Sequence, residues 1–134
     1  MKILLDTHIL IWIAGNEMHR FSPKVLEILE NRRDNEFFVS LATIWEIAIK
    51  STLKKPNFPY KADLMLKQMR KVGIQLLPIT PNNVMGVSEL PLMHNDPFDR
   101  LLIIQAEQER LYLLTTDNAI LKYDKSFILN TKTL

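Results

Sequence analysis

Four acidic residues stand where a folded chain could bring their carboxylates together. Asp6 directly follows an apolar run, and Asp117 comes two residues after another. Glu46 and Asp99 lie within segments whose pattern is helical and largely apolar. Converging carboxylates raise each other's pKa unless a cation holds them together, and hard oxygen ligands select Mg²⁺ or Mn²⁺. If the fold gathers these acids, the chemistry that they indicate is metal-dependent.

Three of the acids also have ordinary structural explanations. Asp6 could cap the helix behind it, and Asp117 could shape a turn. Asp99 would lie near a helix N-terminus, where a carboxylate favours the helix dipole. Asp96, immediately before Pro97, is better still as a plain cap. Taken singly, these acids do not establish a site.

Glu46 is harder to explain by structure alone. Its segment, 41–50, reads LATIWEIAIK, which is apolar nearly all round and predicts a largely buried helix. An ionised carboxylate buried there costs on the order of several kcal/mol without a partner. An exposed pair with Lys50 would return only about 0.3–0.5 kcal/mol. A metal ion compensates better, and Asp99 poses the same problem on a second apolar helix.

Short apolar runs that alternate with helical patterns predict the elements that position these acids. The predicted strands cover 2–5, 36–39, 76–79 and 111–115, with a short edge strand at 127–129. The predicted helices cover about 7–14, 23–33, 41–53, 61–72, 81–89 and 97–110, and two prolines predict a loop at 54–59. Strands separated by helices indicate a parallel sheet covered on both faces. We therefore expect an α/β fold, a three-layer α/β/α sandwich around a central parallel sheet of four or five strands. Ligands bind outside the carboxyl ends of such strands, where Asp6 and Asp117 stand.

Composition limits the alternatives. The 134 residues, 47% of them hydrophobic, fit a single domain spanning 1–134. Without cysteine there is neither a disulfide nor a thiolate metal site. A net charge of +2 permits nucleic-acid binding without requiring it. The sequence has no apolar stretch of membrane-spanning length and no clear signal peptide, so we expect a cytoplasmic protein without membrane contact.

The acids and their neighbours resemble the PIN-domain family, and within it the VapC-like ribonuclease toxins of type II toxin–antitoxin systems. The resemblance lies in four segments that occur in family order, namely 4–8 (LLDTH), 40–50 (SLATIWEIAIK), 96–102 (DPFDRLL) and 114–117 (LTTD). It implies that Asp6, Glu46, Asp99 and Asp117 form the catalytic quartet and bind Mg²⁺, with Mn²⁺ as a second possibility. The implied activity is that of an endoribonuclease that hydrolyses phosphodiester bonds with metal-activated water and leaves a 5′-phosphate and a 3′-hydroxyl.

The same resemblance suggests supporting residues. Thr7 and Thr115 match positions that carry a hydroxyl near the carboxylates, although helix capping and strand preference explain them equally well. Asp96 would assist through water. Arg100 would steady Asp99 or a phosphate, with a surface ion pair as the alternative.

Cations must hold the RNA backbone, and the best placed are Lys50, Lys54, Lys55 and Arg100, although a solvated lysine face is the usual explanation of such lysines. The three histidines, His8, His19 and His94, lack the spacing of a zinc site. We interpret them as packing or surface residues, with His94 a minor candidate for contacting substrate.

The implied partners are an RNA substrate, a cognate antitoxin that occludes the acids, and a second copy in a homodimer. Trp12, Phe58 and Tyr60 would lie at such apolar interfaces or in the core. The main alternative is a catalytically silent PIN-like scaffold that binds RNA or protein, and DNA remains open as a substrate. A response-regulator domain would need paired acids at the first strand, and a small-molecule phosphatase would need an acid where His8 stands.

Overall fold

The structure is a computed structural model that describes residues 1–53 and 59–134. Most of the predicted loop at 54–59 lies outside the described residues. The same holds for Lys54 and Lys55, expected to contact RNA, and for Phe58, expected at an interface or in the core.

Strands and helices alternate along the chain, as the sequence pattern predicts. The strands are β1 (Lys2–Leu5), β2 (Glu36–Ser40), β3 (Gln75–Leu77), β4 (Tyr112–Thr115) and β5 (Ile128–Asn130). The α-helices are α1 (Thr7–Ala14), α2 (Pro23–Glu30), α3 (Leu41–Thr52), α4 (Ala62–Lys71), α5 (Pro81–Val87), α6 (Pro97–Glu109) and α7 (Asn118–Leu121). A 3₁₀ turn at Met18–Arg20 precedes α2. Neither this turn nor α7 was predicted from the sequence, and α2 ends three residues before its predicted end.

The five strands of the described chain form one parallel sheet in the order β3-β2-β1-β4-β5. The parallel sheet predicted from the alternating pattern is therefore confirmed. Strand β1 lies at its centre, where Ile3 is level with Phe37 of β2 and Tyr112 of β4. The chain runs from β1 outward through β2 to β3 and then resumes on the other side with β4. The carboxyl ends of β1 and β4 consequently flank the topological switch point, where open α/β sheets bind ligands.

The two faces of the sheet bury separate cores. On β1, Ile3 and Leu5 point to a core that they share with α1, α2 and α4, whereas Leu4 points to a core shared with α6 and α7. This alternation is the period of two that a strand imposes on its side chains. Helices therefore cover both faces, and the predicted three-layer α/β/α arrangement is confirmed. In the described chain no helix is long and apolar enough to span a membrane.

Helix α3 is less buried than the largely buried helix that its apolar sequence predicts. Its inner face packs Ala42, Ile44 and Ile47 into the core. Its outer side exposes a row spaced four residues apart, consisting of Leu41, Trp45, Ile49 and the C-cap residue Leu53. Apolar character round a whole helix does not say which side a neighbour covers. In the described chain the outer row stays largely exposed, although the Trp45 ring packs edge-on against Phe98 of α6.

Candidate active site

Asp6 lies in the interior at the carboxyl end of β1, with 1% of its surface exposed. Its Oδ1 accepts the Thr7 backbone N–H at 2.6 Å and so caps α1. Its Oδ2 accepts the Thr115 hydroxyl at 2.7 Å from the neighbouring strand β4. Burial raises the pKa of Asp6, and the charge of Asp117 adds to this, although the hydrogen bond from Thr115 and the charge of His8 oppose it.

Asp117 follows β4 and caps α7, accepting the Ala119 N–H on Oδ1 at 2.8 Å. Its own backbone N–H donates to the Thr115 hydroxyl oxygen at 3.0 Å. Thr115 therefore connects the two acids, because its hydroxyl donates to Asp6 and accepts from Asp117. The predicted capping and turn explanations for Asp6 and Asp117 are correct, and both residues nevertheless stand at the switch point.

Glu46 projects from α3 toward the same region, with 12% of its side chain exposed. Its Oε1 accepts the Thr7 hydroxyl at 2.9 Å. The Thr7 hydroxyl has only one hydrogen and donates it to Glu46. The Thr43 hydroxyl must therefore be the donor in its 3.0 Å hydrogen bond with the Thr7 oxygen. The other carboxylate oxygen, Oε2, lies 3.3 Å from the Lys50 ammonium. The ion pair considered from sequence thus exists, alongside a second contact that links Glu46 to the residue after Asp6.

Asp99 lies in the first turn of α6 and is 8% exposed. Its pKa is raised to about 7, chiefly by burial and further by the charges of Asp6, Asp96 and Asp117. A hydrogen bond from His94 Nε2 to Asp99 Oδ2, at 2.8 Å, opposes that rise. Asp6, Asp99 and Asp117, which lie on three different elements, are therefore close enough for their negative charges to repel. A bound cation would relieve this repulsion.

Asp96 is the helix cap that its place before Pro97 predicts, since its Oδ1 accepts the N–H groups of Phe98 and Asp99 at 2.9 and 3.1 Å. Among the described residues, one set of three side chains could present ligand atoms all within 4.8 Å of one another, and it comprises His94, Asp96 and Asp99. The four acids chosen from sequence are spread more widely than this. Sequence reasoning gave His94 only a minor role, because a lone histidine in a loop carries no spacing signal.

Comparison with known proteins decides the family. The sequence profile of the PIN domain family matches residues 3–126, nearly the whole chain. The chain belongs to the PIN domain family. No curated protein matches its sequence at a significant level.

Two solved structures share the PIN fold of this chain. One is VapBC2 from Rickettsia felis bound to a DNA fragment from their promoter, with a TM-score of 0.66, 15% sequence identity and coverage of 97% of both chains. The other is VapBC-1 from nontypeable Haemophilus influenzae, with a TM-score of 0.67, 14% identity and coverage of 100% of both chains. At sequence identities this low, the structural similarity shows only that the fold is shared.

Arg100 of this PIN domain is buried, contrary to both roles expected from the sequence. It is 8% exposed, and its guanidinium donates to backbone carbonyls and the Tyr123 hydroxyl rather than to a carboxylate. The expected contact with Asp99 or phosphate and the alternative of a surface ion pair are therefore both wrong. The physical reason is that the segment before α6 folds over the guanidinium and supplies enough acceptors to bury it.

The remaining predicted residues lie at varied positions. Of the three lysines expected to contact RNA, Lys50 is the one that the structure describes. It is partly exposed and lies beside Glu46. Trp12 and Tyr60 are half-buried and pack against the core, and Trp12 also stacks edge-on with Phe21. These two aromatic residues therefore contribute to the core of the PIN domain.

Proposed function

We propose that this chain is a divalent-metal-dependent endoribonuclease, the VapC-like toxin of a toxin–antitoxin pair. The observation that carries the proposal is the electrostatic coupling of Asp6, Asp99 and Asp117 at the switch point of a PIN domain. Glu46 joins them through the Thr7 hydroxyl. Catalysis and metal binding are accordingly assigned to these four acids, and the cleaved molecule is RNA.

The donor set fits a hard divalent cation, Mg²⁺ first and Mn²⁺ second. The quartet offers only carboxylate oxygens, which such ions prefer. Burial raises the pKa of both Asp6 and Asp99, so leaving them together as uncompensated anions is costly. When bound, an ion in such a site neutralises the scissile phosphate and lowers the pKa of a coordinated water.

The protein's own groups would orient these ligands. Hydroxyl donors hold Asp6 and Glu46, and the imidazole of His94 holds Asp99. Lys50, partly exposed beside Glu46, supplies a cation for the RNA backbone. Asp96 acts through the helix cap that starts α6 immediately before Asp99.

A cognate antitoxin is the proposed protein partner. Two of the structures that share this fold are VapBC2 and VapBC-1, and the first of them is bound to a DNA fragment from a promoter. We further propose that the chain works in the cytoplasm as a single PIN domain over 1–134.

A catalytically silent scaffold is the competing function, and one observation favours it. Each of three acids already has a structural partner, because Asp6 and Asp117 cap helices and Glu46 pairs with Lys50. Such roles would keep the acids without any metal.

RNA cleavage separates the two functions. Purified protein free of any co-purifying partner is incubated with a structured RNA pool in Mg²⁺, Mn²⁺ or EDTA, beside Asp6→Asn and Glu46→Gln. Asp63→Asn, an exposed acid on α4, is the matched control. We expect discrete cleavage by wild type and control that requires metal and disappears in both quartet variants. Folded wild type that leaves RNA intact in both metals would favour the scaffold. Cleavage that persists in both quartet variants would contradict the assignment of catalysis to the four acids.

A further inference from the structure

Arg100, the residue after Asp99 in α6, is buried and pairs with no carboxylate among the described residues. Nη1 of Arg100 donates to the carbonyls of Pro91 at 3.1 Å and His94 at 3.4 Å. Nη2 donates to the carbonyls of Val87 at 2.8 Å and Leu90 at 3.0 Å. One guanidinium thus binds four carbonyls of the segment 87–94, which links α5 to the turn before α6.

Tyr123 fastens the same segment from the other side. Its hydroxyl donates to the Pro91 carbonyl at 2.9 Å and accepts from Arg100 Nη1 at 3.2 Å and from the Met93 N–H at 3.3 Å. The segment 87–94 contains no regular element beyond the last residue of α5. Backbone turns satisfy the N–H groups of residues 88, 89, 90 and 93, whereas Arg100 and Tyr123 bind the carbonyls of residues 87, 90, 91 and 94.

The far end of the segment carries the residue that contacts Asp99. His94 donates Nε2–H to Asp99 Oδ2 at 2.8 Å, while its own carbonyl is bound by Arg100. Burying a guanidinium carries a desolvation penalty that an apolar side chain of similar volume would avoid. What the arginine provides instead is a fixed backbone position for His94.

We propose that Arg100 and Tyr123 are positioning residues that clamp the segment 87–94 and thereby hold His94 against Asp99. The proposal rests on the proposed function in that Asp99 is taken as a metal ligand. Arg100 acts through His94 alone, since its guanidinium is buried and reaches no carboxylate. Partners that orient metal-binding side chains commonly contribute a factor of about 10–100 in metal affinity.

A double-mutant cycle tests the clamp in the full-length chain. Mn²⁺ affinity is measured by calorimetry for wild type, Arg100→Lys, His94→Ala and the double variant. Lysine keeps the charge but lacks the two-pronged donor geometry. We expect each single variant to bind Mn²⁺ roughly 10–100-fold more weakly, and the double variant no more weakly than the weaker single one. Arg110→Lys, an exposed arginine at the C-cap of α6, should match wild type.

A second readout is independent of metal and activity. The His94 Nε2–H should give a slowly exchanging imidazole resonance, identified by its loss in His94→Ala. We expect Arg100→Lys to broaden or abolish it, and Tyr123→Phe to weaken it while the ring is kept. Tyr123→Phe also replaces Arg100→Lys in the cycle if the latter does not fold.

Two results would overturn the clamp. One is a folded Arg100→Lys variant, or its Tyr123→Phe replacement, with wild-type Mn²⁺ affinity and an unchanged His94 resonance. The other is a double variant whose loss equals the product of the single losses, which indicates independent structural effects. A wild type that fails to cleave RNA would refute the proposed function, whereas the His94 resonance would still decide the clamp.

Discussion

Asp99 keeps a carboxylate in the interior at a cost that its histidine partner only partly offsets. The pKa of about 7, against 3.8 for a free aspartate side chain, means that the folded protein binds this proton more tightly than the unfolded chain does. Protonation of Asp99 therefore contributes its full stabilisation of the fold at pH values below 3.8, the pKa in the unfolded chain. This contribution falls as the pH rises between the two pKa values and is lost above about pH 7.

The resulting prediction concerns metal-free protein. Between about pH 8 and pH 5 in EDTA, we expect the free energy of unfolding to rise by an amount on the order of a few kcal/mol more in wild type than in Asp99→Asn. Urea denaturation at a series of pH values measures the difference. Parallel curves for the two proteins would show that Asp99 has no raised pKa.

Thr115 is the residue on which both strand-end acids depend. Thr115→Val removes the donor to Asp6 and the acceptor for the Asp117 N–H. We expect the Mg²⁺ concentration for half-maximal RNA cleavage to rise roughly 10–100-fold. Thr116→Val, one residue along the chain, is the control and should leave that concentration unchanged. An unchanged Mg²⁺ requirement in Thr115→Val would mean that the hydroxyl does not orient the acids.

At the scale of the element, the start of α3 determines where Glu46 points. The hydroxyl of Ser40 accepts the Ala42 N–H at 3.0 Å and donates to Gln105 Oε1 of α6 at 2.5 Å. Gln105 is fully buried and also donates to the Pro78 carbonyl and to Asn83. The cap of α3 is thus joined to the helix that carries Asp99.

Replacing this cap should affect both stability and activity. Loss of an N-cap costs about 0.5–2 kcal/mol, and a buried amide left without its partner adds about 1–3 kcal/mol. We expect Ser40→Ala to reach the upper part of the combined range and to lower kcat. Ser22→Ala, which removes the cap of α2, should cost only the first amount and spare kcat. Thermal unfolding and RNA cleavage measure the two effects, and equal stability losses in both variants would contradict the α3–α6 link.

Local signals in the sequence were enough to predict most helices and strands but not which residues pack against one another. The apolar run ending at Asp6 predicts the bounds of β1 and α1, and Ser22-Pro23 predicts the start of α2. Helix α7 escaped because four residues are too few for a periodic pattern. The burial of Arg100 could not be predicted, since its acceptors are carbonyls and leave no trace in residue type.

At the scale of the whole molecule, the site depends on the order of the strands. Asp6 and Asp117 meet because β4 returns to pair with β1, a long-range choice that no local pattern encodes. The candidate acids could be selected from sequence by type and position, and their mutual influence follows only from this topology. The pairing of His94 with Asp99 belongs to the same class of unpredictable contacts.

The homodimer implied by family resemblance gives a prediction at this scale. We expect the second copy to pack on the exposed row of α3, because a four-residue spacing matches the ridges of helix-on-helix contacts. Trp45, 56% exposed, is the largest side chain of that row. Light scattering should give about twice the chain mass of 15.7 kDa, falling to the single mass in Trp45→Glu. Leu64→Glu, on the exposed side of α4, should remain dimeric. A wild-type monomer, or a dimeric Trp45→Glu, would contradict this interface.

Binding of Mn²⁺, followed by electron paramagnetic resonance, tests most directly whether the four acids share one metal site. We expect saturable Mn²⁺ binding in wild type. The Mn²⁺ affinity should fall at least about 10-fold when any one of the four acids is changed to its amide, namely Asp6, Glu46, Asp99 or Asp117. Asp124→Asn, an exposed acid beyond α7, should bind as wild type does. Equal Mn²⁺ affinity in wild type and all four amide variants would contradict a shared metal site and with it the proposed nuclease.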